Sequence, residues 1–402
     1  MPPQIWFPIL LVLFFVGAYT SNDWLVTLSV AMAAVLGIAI LWSRHSLDQV
    51  SYRRHIHYKR GFPGERTDGR LEVENHKRLP LSWLRIVDQW PHAAAPTDEK
   101  MLTPSHLPRV GRLTQLLSLR WNEKVTRKFE IEFKERGVYP IGPADYTSGD
   151  LFGLYEEWKS DTQQEYVTVF PELIPLKALE IETENPMGEH RSRRQIFEDP
   201  SRTMGVRNYH PEDEFRRIHW PATARTGELQ VKVYQPVNSK MMVVCLNIAT
   251  SAHPWLGINH QLSEHLISLA GTICYQNIQQ GYSVGLISNS CLAHSDQPFV
   301  IQPSHSQKQL PHLLESLARI TLLVTSPFET FLSRSLPKLP FGASLVVISA
   351  VVTPALCETL LRIKRYRSNT TLISLDPALP PNLPGIQVIH MPYQFSQPED
   401  AR

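Results

Sequence analysis

At 402 residues, with 43% hydrophobic and 19% charged side chains, the chain is long enough for two or three packed domains and too apolar to be disordered throughout. A formal net charge of +2 supplies no general attraction to polyanions, so the composition speaks against a nucleic-acid binder. The four cysteines, Cys245, Cys274, Cys291 and Cys357, lie far apart without a C-x-x-C pair, which reads as reduced core thiols in a reducing compartment.

Two apolar stretches open the chain, Ile5–Thr20 and Trp24–Trp42, both free of charge. The second reaches the roughly 20 residues that cross a bilayer and the first is slightly short. A signal peptide is the alternative for the first, but it lacks a basic start and a small-x-small cleavage site. Residues 1–43 therefore predict a transmembrane hairpin, with Trp6, Tyr19, Trp24 and Trp42 near the interfaces and small residues Ala31, Ala33, Ala34 and Gly37 open to close helix packing. Arg44, Arg53, Arg54, Lys59 and Arg60 follow the second span while the Ser21–Asn22–Asp23 turn has no basic residue. By the positive-inside rule, the soluble portion sits on the cytoplasmic side of the cell membrane.

Residues 44–180 predict a β-rich domain. Arg70–Asn75, Leu81–Asp88, Val125–Phe133 and Tyr166–Phe170 alternate as half-buried strands, with Phe129, Ile131 and Phe133 on one face of theirs. Glycine and proline punctuate them, so a small antiparallel sandwich is the economical fold. The proline- and alanine-rich Pro91–Pro108 reads as a mobile excursion. His55–Ile56–His57 reads as solvated or lipid-facing rather than as a metal pair.

Residues 181–238 form a linking segment dense in charge. Asp213 beside Arg216 or Arg217 suits a turn pinned by charge-assisted hydrogen bonds, with Pro211 fixing the backbone before it. Trp220–Pro221 is expected to end any short helix that starts at Glu212, and Trp220 could cover Arg225 or bury an apolar face against a sheet. Two readings stand: a structural latch, or a site in which Arg216, Arg217, His219 and Arg225 meet an acidic segment or a phosphate. No nucleophile lies at a recognisable spacing from His219.

Residues 239–402 alternate strands and helices. Met241–Ile248, Ser283–Ser288, Ala343–Ser349, Thr370–Leu375 and Ile386–His390 read as strands, and His260–Gln280, Lys308–Leu323 and Pro354–Tyr366 as helices. That pattern predicts an α/β domain with a mostly parallel sheet, whose ligand position would be the loop Asn247–Ser251 at the end of its first strand.

These residues carry a family resemblance. Tyr209, Pro211, Glu212, Asp213, Arg216–Arg217, Ile218 and Trp220, then Thr223–Ala224–Arg225 and Leu229–Val231, resemble the run Y-x-P-G-D-x-x-R-x-I-x-W…S/T-A-R of the domain of unknown function 58 family, with Glu212 in place of the glycine. Arg136–Pro143 and Asp150–Leu154 resemble its R-G-x-Y-x-x-G-P and D-x-F-G-L. The resemblance implies a membrane hairpin, a β-rich region and a C-terminal domain like von Willebrand factor type A. It also implies an adaptor or assembly role beside a MoxR-type AAA+ ATPase, and no reaction. Type A domains hold Mg²⁺ through D-x-S-x-S and a later acidic residue. Here Asn247 and Ala249 replace the aspartate and first serine, Ser251 remains, and Ala350 takes the later acidic position. With the carboxylates gone, no metal and no other cofactor is expected.

Other chemistry fails on context. Gly281–Gly285 fits G-x-S-x-G, yet a helix precedes its serine and a strand follows, the reverse of a nucleophile elbow. No phosphate-binding G-x-x-x-x-G-K-[ST] occurs, and His260, Glu264 and His265 lack H-E-x-x-H spacing. The sequence thus predicts a non-enzymatic, membrane-anchored scaffold whose partners are proteins and the lipid bilayer, not nucleic acid. The alternative is a binding protein or enzyme acting on an anionic or phosphorylated ligand through the Arg/His cluster. A third reading is an envelope-assembly factor whose hairpin contacts other membrane proteins.

Overall fold

The computed structural model describes residues 6–175, 198–211, 213–236, 241–253, 257–293, 295–340, 342–365 and 369–393. Glu212, much of the linking segment before 198, and the Tyr366 end of the predicted helix lie outside the described residues. The chain divides into two compact units, Met1–Pro171 and Glu172–Arg402.

The first unit begins with helices α1 (Trp6–Tyr19) and α2 (Asp23–Arg44), joined by a turn in which the Asn22 side chain accepts from the Trp24 N–H. They pack on each other, and a Cβ on Gly17 would come within 2.8 Å of Leu25, so close approach is at Gly17. Gly37 meets nothing within 4 Å of a Cβ, so it is not part of the contact between α1 and α2. Helix α2, with 22 residues, is the helix among the described residues that is long and apolar enough to cross a membrane. Helix α1 has 14, or about 21 Å at 1.5 Å per residue, short of a hydrocarbon core of roughly 30 Å. The expected pair of full spans is therefore reduced to one span-length helix and a shorter apolar companion.

Twelve strands follow: β1 (Val50–Ile56), β2 (Arg60–Gly61), β3 (Arg66–Asn75), β4 (Leu81–Pro91), β5 (Ala94–Pro96), β6 (Leu102–Pro104), β7 (Val110–Leu119), β8 (Lys124–Phe133), β9 (Gly137–Ile141), β10 (Ala144–Gly149), β11 (Glu156–Asp161) and β12 (Glu165–Val169). They form sheets ordered β1-β3-β8-β5, β11-β10-β4-β7-β6 and β2-β12-β9. Burial alternates along β3 and β7, as strands with one solvated face require. Leu71, Trp90, Leu113, Ile131 and Phe133 fill one core, and Val73, Leu84, Ile86, Leu117 and Tyr146 a second. Pro91–Pro108 is not a free excursion. Ala94 and Ala95 are small enough to be buried where β5 pairs with β8, and β6 pairs with β7.

Arg54, expected at the membrane flank, does other work. Arg54 is buried, its Nε donating to Asp88 Oδ2 at 2.9 Å, while Tyr52 and Trp90 donate to the same oxygen at 2.7 and 3.0 Å. Its Nη1 donates to the carbonyls of Ile141 and Gln163. Burial pushes the Asp88 carboxyl up against the pull of Arg54, Tyr52 and Trp90, and burial and Asp88 together hold the Tyr52 phenol well above its usual range. His55, beside it on β1, is solvated and lies 3.5 Å from Glu72. Lys77, in the β3–β4 turn, donates to the carbonyls of His45, Ser46 and Asp48 just past α2, tying the helix end to the sheets. Burial lowers its ammonium to about 8, with Asp48 opposing.

The second unit contains a ribbon of β13 (Glu198–Asn208) and β14 (Gln230–Pro236), with α3 (Trp220–Thr226) in its connection. After it come β15 (Met241–Leu246), α4 (His260–Gln279), β16 (Ser283–Leu292), β17 (Pro298–Ser304), α5 (Gln309–Ala318), β18 (Ile320–Val324), α6 (Phe328–Ser335), β19 (Ser344–Ser349), α7 (Pro354–Lys364), β20 (Thr370–Ser374) and β21 (Gln387–His390). The sheet is mixed: β16-β15-β19-β20-β21 run parallel, while β17 and β18 pair antiparallel with β16. The helix expected over Lys308–Leu323 stops at Ala318, because the following I-T-L-L-V is rich in β-branched residues and pairs with β16. Strands β15, β16, β19 and β20 are buried nearly end to end, since α4 and α5 cover one face and α6 and α7 the other. All four cysteines are buried, and burial alone pushes the Cys274 thiol up to about 12, which makes it inert. Ser283 is buried at the start of β16, so the G-x-S-x-G match holds no exposed nucleophile.

Candidate functional site

The charged stretch of the linking segment resolves into an inner latch and an outer surface. Asp213 pairs with Arg207, not with Arg216 or Arg217: both Arg207 terminal nitrogens donate to its two oxygens, at 2.7 and 2.6 Å. The His210 N–H adds a third hydrogen bond at 2.9 Å. The Arg207 hydrogen bond, then that backbone N–H, hold the Asp213 carboxyl below the usual carboxylate range. A bidentate guanidinium fixes both position and orientation of the carboxylate, so the turn after β13 is set by this pair. Asp213 is six positions from Arg207, on the far side of the turn that follows β13.

Pro221 opens a helix instead of ending one. Helix α3 starts at Trp220, with the proline in its first turn, where a missing N–H removes no intrahelical bond. His219 caps it, Nδ1 accepting from the Ala222 N–H at 3.0 Å, so this nitrogen is committed to the fold and not to proton transfer. Gly227 closes α3 in the left-handed region, φ 74°. The turn Phe215–Arg217 leads into Ile218, which is buried and bridges to Val231 on β14. Gln230, also buried, donates to the Asn208 side chain at 2.6 Å.

What remains faces outward. Phe215 is 72% exposed and Trp220 63%, with Arg216 and Arg225 also exposed. Tyr209 backs Phe215, ring centroids 5.9 Å apart, and its N–H donates to the Leu229 carbonyl. Trp220 does not bury an apolar face. Arg217 is half-buried. Phe215 and Arg207 are the residues that sequence reasoning passed over. The signal for Phe215 was an aromatic side chain between charges, with no apolar periodicity to place it in a core.

The second candidate lies in the α/β sheet. Counting only its parallel strands, the order is second-first-third-fourth-fifth, so the switch point falls between β15 and β19. Asn247 is buried there. Its Nδ2 donates to Ser349 Oγ at 2.9 Å, and its Oδ1 accepts from the Ala249 N–H at 3.1 Å and from Asn289 Nδ2 at 3.0 Å. Asn289 Oδ1 in turn accepts from the Ile248 N–H at 3.0 Å, and Ser349 donates to the Val351 carbonyl at 2.6 Å. Both lone pairs of the Asn247 oxygen are thus used, and an N–H₂ group stands where a cation would need a second oxygen. Ser251 lies farther along the loop, accepting from the His253 N–H, and Ala350 is buried. The sequence did not single out two carboxylates at this edge. Asp376 accepts from the N–H groups of Val352 and Ala378, and Glu329 from Thr353 at 2.6 Å. These residues do not fit a hard divalent ion. Among the described residues no group of three or more His, Cys, Asp or Glu side chains could hold a metal.

With this geometry in place, one comparison is informative. Residues 205–390 match the family described as Protein of unknown function DUF58. The DUF58 match therefore starts inside β13 and takes in both candidate sites. The chain is also similar to the uncharacterized protein YeaD of Bacillus subtilis, 22% identical over 284 residues, or 68% of this chain and 63% of that protein. Among solved structures, the CARDB domain of a Pyrococcus furiosus protein overlaps 30% of this chain and 91% of its own, at 10% identity and TM-score 0.20. The sporulation control protein Spo0M of Bacillus subtilis overlaps 31% of this chain and 50% of its own, at 13% identity and TM-score 0.19. Overlaps of that quality assign neither a fold nor a function.

Proposed function

We propose that this chain is a non-enzymatic, membrane-anchored adaptor of the DUF58 type. In this reading α1 and α2 form a hairpin in the cell membrane, the soluble units lie on the cytoplasmic side, and the C-terminal unit is a metal-free counterpart of a von Willebrand type A domain. Its partner is a protein, a MoxR-type AAA+ ATPase in assembly or maturation of other complexes. The observation that carries the reading is the division of labour in the family motif. Asp213, Arg207 and His219 are spent on holding a turn and a short helix, and that scaffold displays Phe215 and Trp220 beside Arg216 and Arg225. Exposed aromatics with arginine are the side chains that dominate protein–protein affinity.

The test is direct binding of a purified MoxR-type ATPase to the full chain in lipid nanodiscs. Phe215→Ala with Trp220→Ala is expected to weaken binding by about 2 kcal/mol or more, the range of aromatic hot spots, while leaving the thermal transition in place. Equal affinity of the variant, or no complex with the wild type, rejects the reading. The pair of exposed arginines favours one second reading, an anionic ligand held by Arg216 and Arg225. Titration with inorganic pyrophosphate, repeated on Arg216→Ala with Arg225→Ala, separates the two.

A further inference from the structure

We infer that the loop Asp150–Tyr155, between β10 and β11, inserts its apolar side chains into the lipid interface beside α2; this rests on the membrane-anchored reading. The loop exposes Leu151, Phe152 and Leu154 together, with Leu151 62% and Phe152 67% exposed. Three adjacent large apolar side chains in water are not explained by folding, because no core covers them. They are also held, not frayed. Asp150 is buried, and its Oδ2 accepts from the Phe152 N–H at 2.9 Å and its Oδ1 from the Tyr155 N–H at 2.7 Å. Trp83 Nε1 donates to the Asp150 carbonyl, and Gly153 turns the tip with φ 69°. A buried carboxylate fixing two backbone N–H groups gives the loop one shape, so the apolar groups point out by construction.

Position names the occupant. Ser148 pairs with Leu84 and Leu81 with Leu119, so the β10–β11 loop and the β7–β8 turn lie at the same end of the sheets. That end carries the helices. Helix α2 packs beside β10 and β11, Lys77 holds the carbonyls just past α2, and the Asn122 N–H donates to the Lys77 carbonyl. Trp121, in that same turn, is 68% exposed, and Trp158 on β11 is exposed as well. Indole rings and apolar loop tips next to a span are placed where headgroups meet acyl chains. Arg44, Arg78, Arg120 and Lys159 outnumber Glu156 and Glu157 at this end, so attraction to anionic headgroups adds to that of the apolar layer.

The native cysteines are all buried, so single-cysteine labelling of the full chain is selective. Phe152→Cys, Leu154→Cys, Ile38→Cys and Glu135→Cys would each carry an environment-sensitive fluorophore in phosphatidylethanolamine–phosphatidylglycerol vesicles containing spin-labelled lipid. Ile38 is exposed on α2, and Glu135 is exposed just beyond β8, at the opposite end of the sheets from the loop. The expected result is blue-shifted, strongly quenched emission at 152, 154 and 38, with a water-like spectrum at 135. Quenching at 38 with water-like spectra at 152 and 154 overturns the insertion and leaves the anchor standing. Water-like spectra at all four positions overturn the anchor and the insertion together.

Discussion

In Met1–Pro171 one buried knot pairs opposite charges, Arg54 against Asp88, whereas at the sheet switch point of Glu172–Arg402 the sealed groups are the neutral Asn247, Asn289 and Ser349. Both knots tie strands that are distant in sequence. Asp88 gathers Tyr52, Arg54 and Trp90 across two sheets, and Asn247 joins the ends of β15, β16 and β19. A buried ion pair is held by mutual dependence, because either charge alone in a low-dielectric core is heavily penalised. An amide network loses only hydrogen bonds when one member goes. Neutrality also bears on ligands. A charged strand end could recruit a cation, and an amide whose oxygen is saturated cannot.

The largest expected effect breaks the charged knot. Asp88→Ala should lose about 3–5 kcal/mol in urea denaturation followed by fluorescence of the buried Trp90, since Arg54 is left buried without its partner. Replacing both, Arg54→Met with Asp88→Leu, should recover most of that loss, and a double variant as unstable as the single one would mean that the charges themselves specify the fold. Next comes the neutral knot. Asn247→Ala should cost about 1–3 kcal/mol for each buried partner left without a hydrogen bond, chiefly Ser349 and Asn289, read as a lowered midpoint in unit-specific hydrogen exchange. Asn247→Asp sharpens the contrast. While protonated, its hydroxyl can replace the amide donor to Ser349, and ionisation removes that donor and buries a charge. Its folded pKa should therefore be raised, so the variant should lose stability as pH rises out of the carboxylate range, and a Mg²⁺ titration should show whether one restored carboxylate suffices for a cation.

Asp213 has the opposite sign and a smaller effect. Its folded pKa is depressed by Arg207 and the His210 N–H, so its contribution is present above the ordinary carboxylate range and is lost as pH falls through the folded value. Amide exchange of Asp213 and Ile218 should accelerate in that acid window, and Arg207→Met should abolish the step. Smallest of all, Phe215→Ala and Trp220→Ala should change stability by no more than about 0.5 kcal/mol, as expected for exposed side chains with no covering core. A large loss of stability there would turn the outer surface back into part of the latch.

Local pattern alone determined the apolar α2, the alternating strands such as β8, the continuously buried strands β15 and β19, and the helix α4. Each depends on side chains within a turn or a strand of one another, where periodicity and residue chemistry speak directly. Tertiary structure decided the rest. Arg54 read as a membrane-flank charge until the sheets holding β1 and β4 packed on each other and brought it to Asp88, 34 positions along the chain. Asp213 pairs with Arg207 rather than with Arg216 or Arg217, and Pro221 sits in the first turn of α3 with His219 as its cap, local contacts that periodicity does not register. The partner of a buried charge such as Arg54 is chosen by distance in space, and sequence separation carries little information about that distance once sheets have packed on each other.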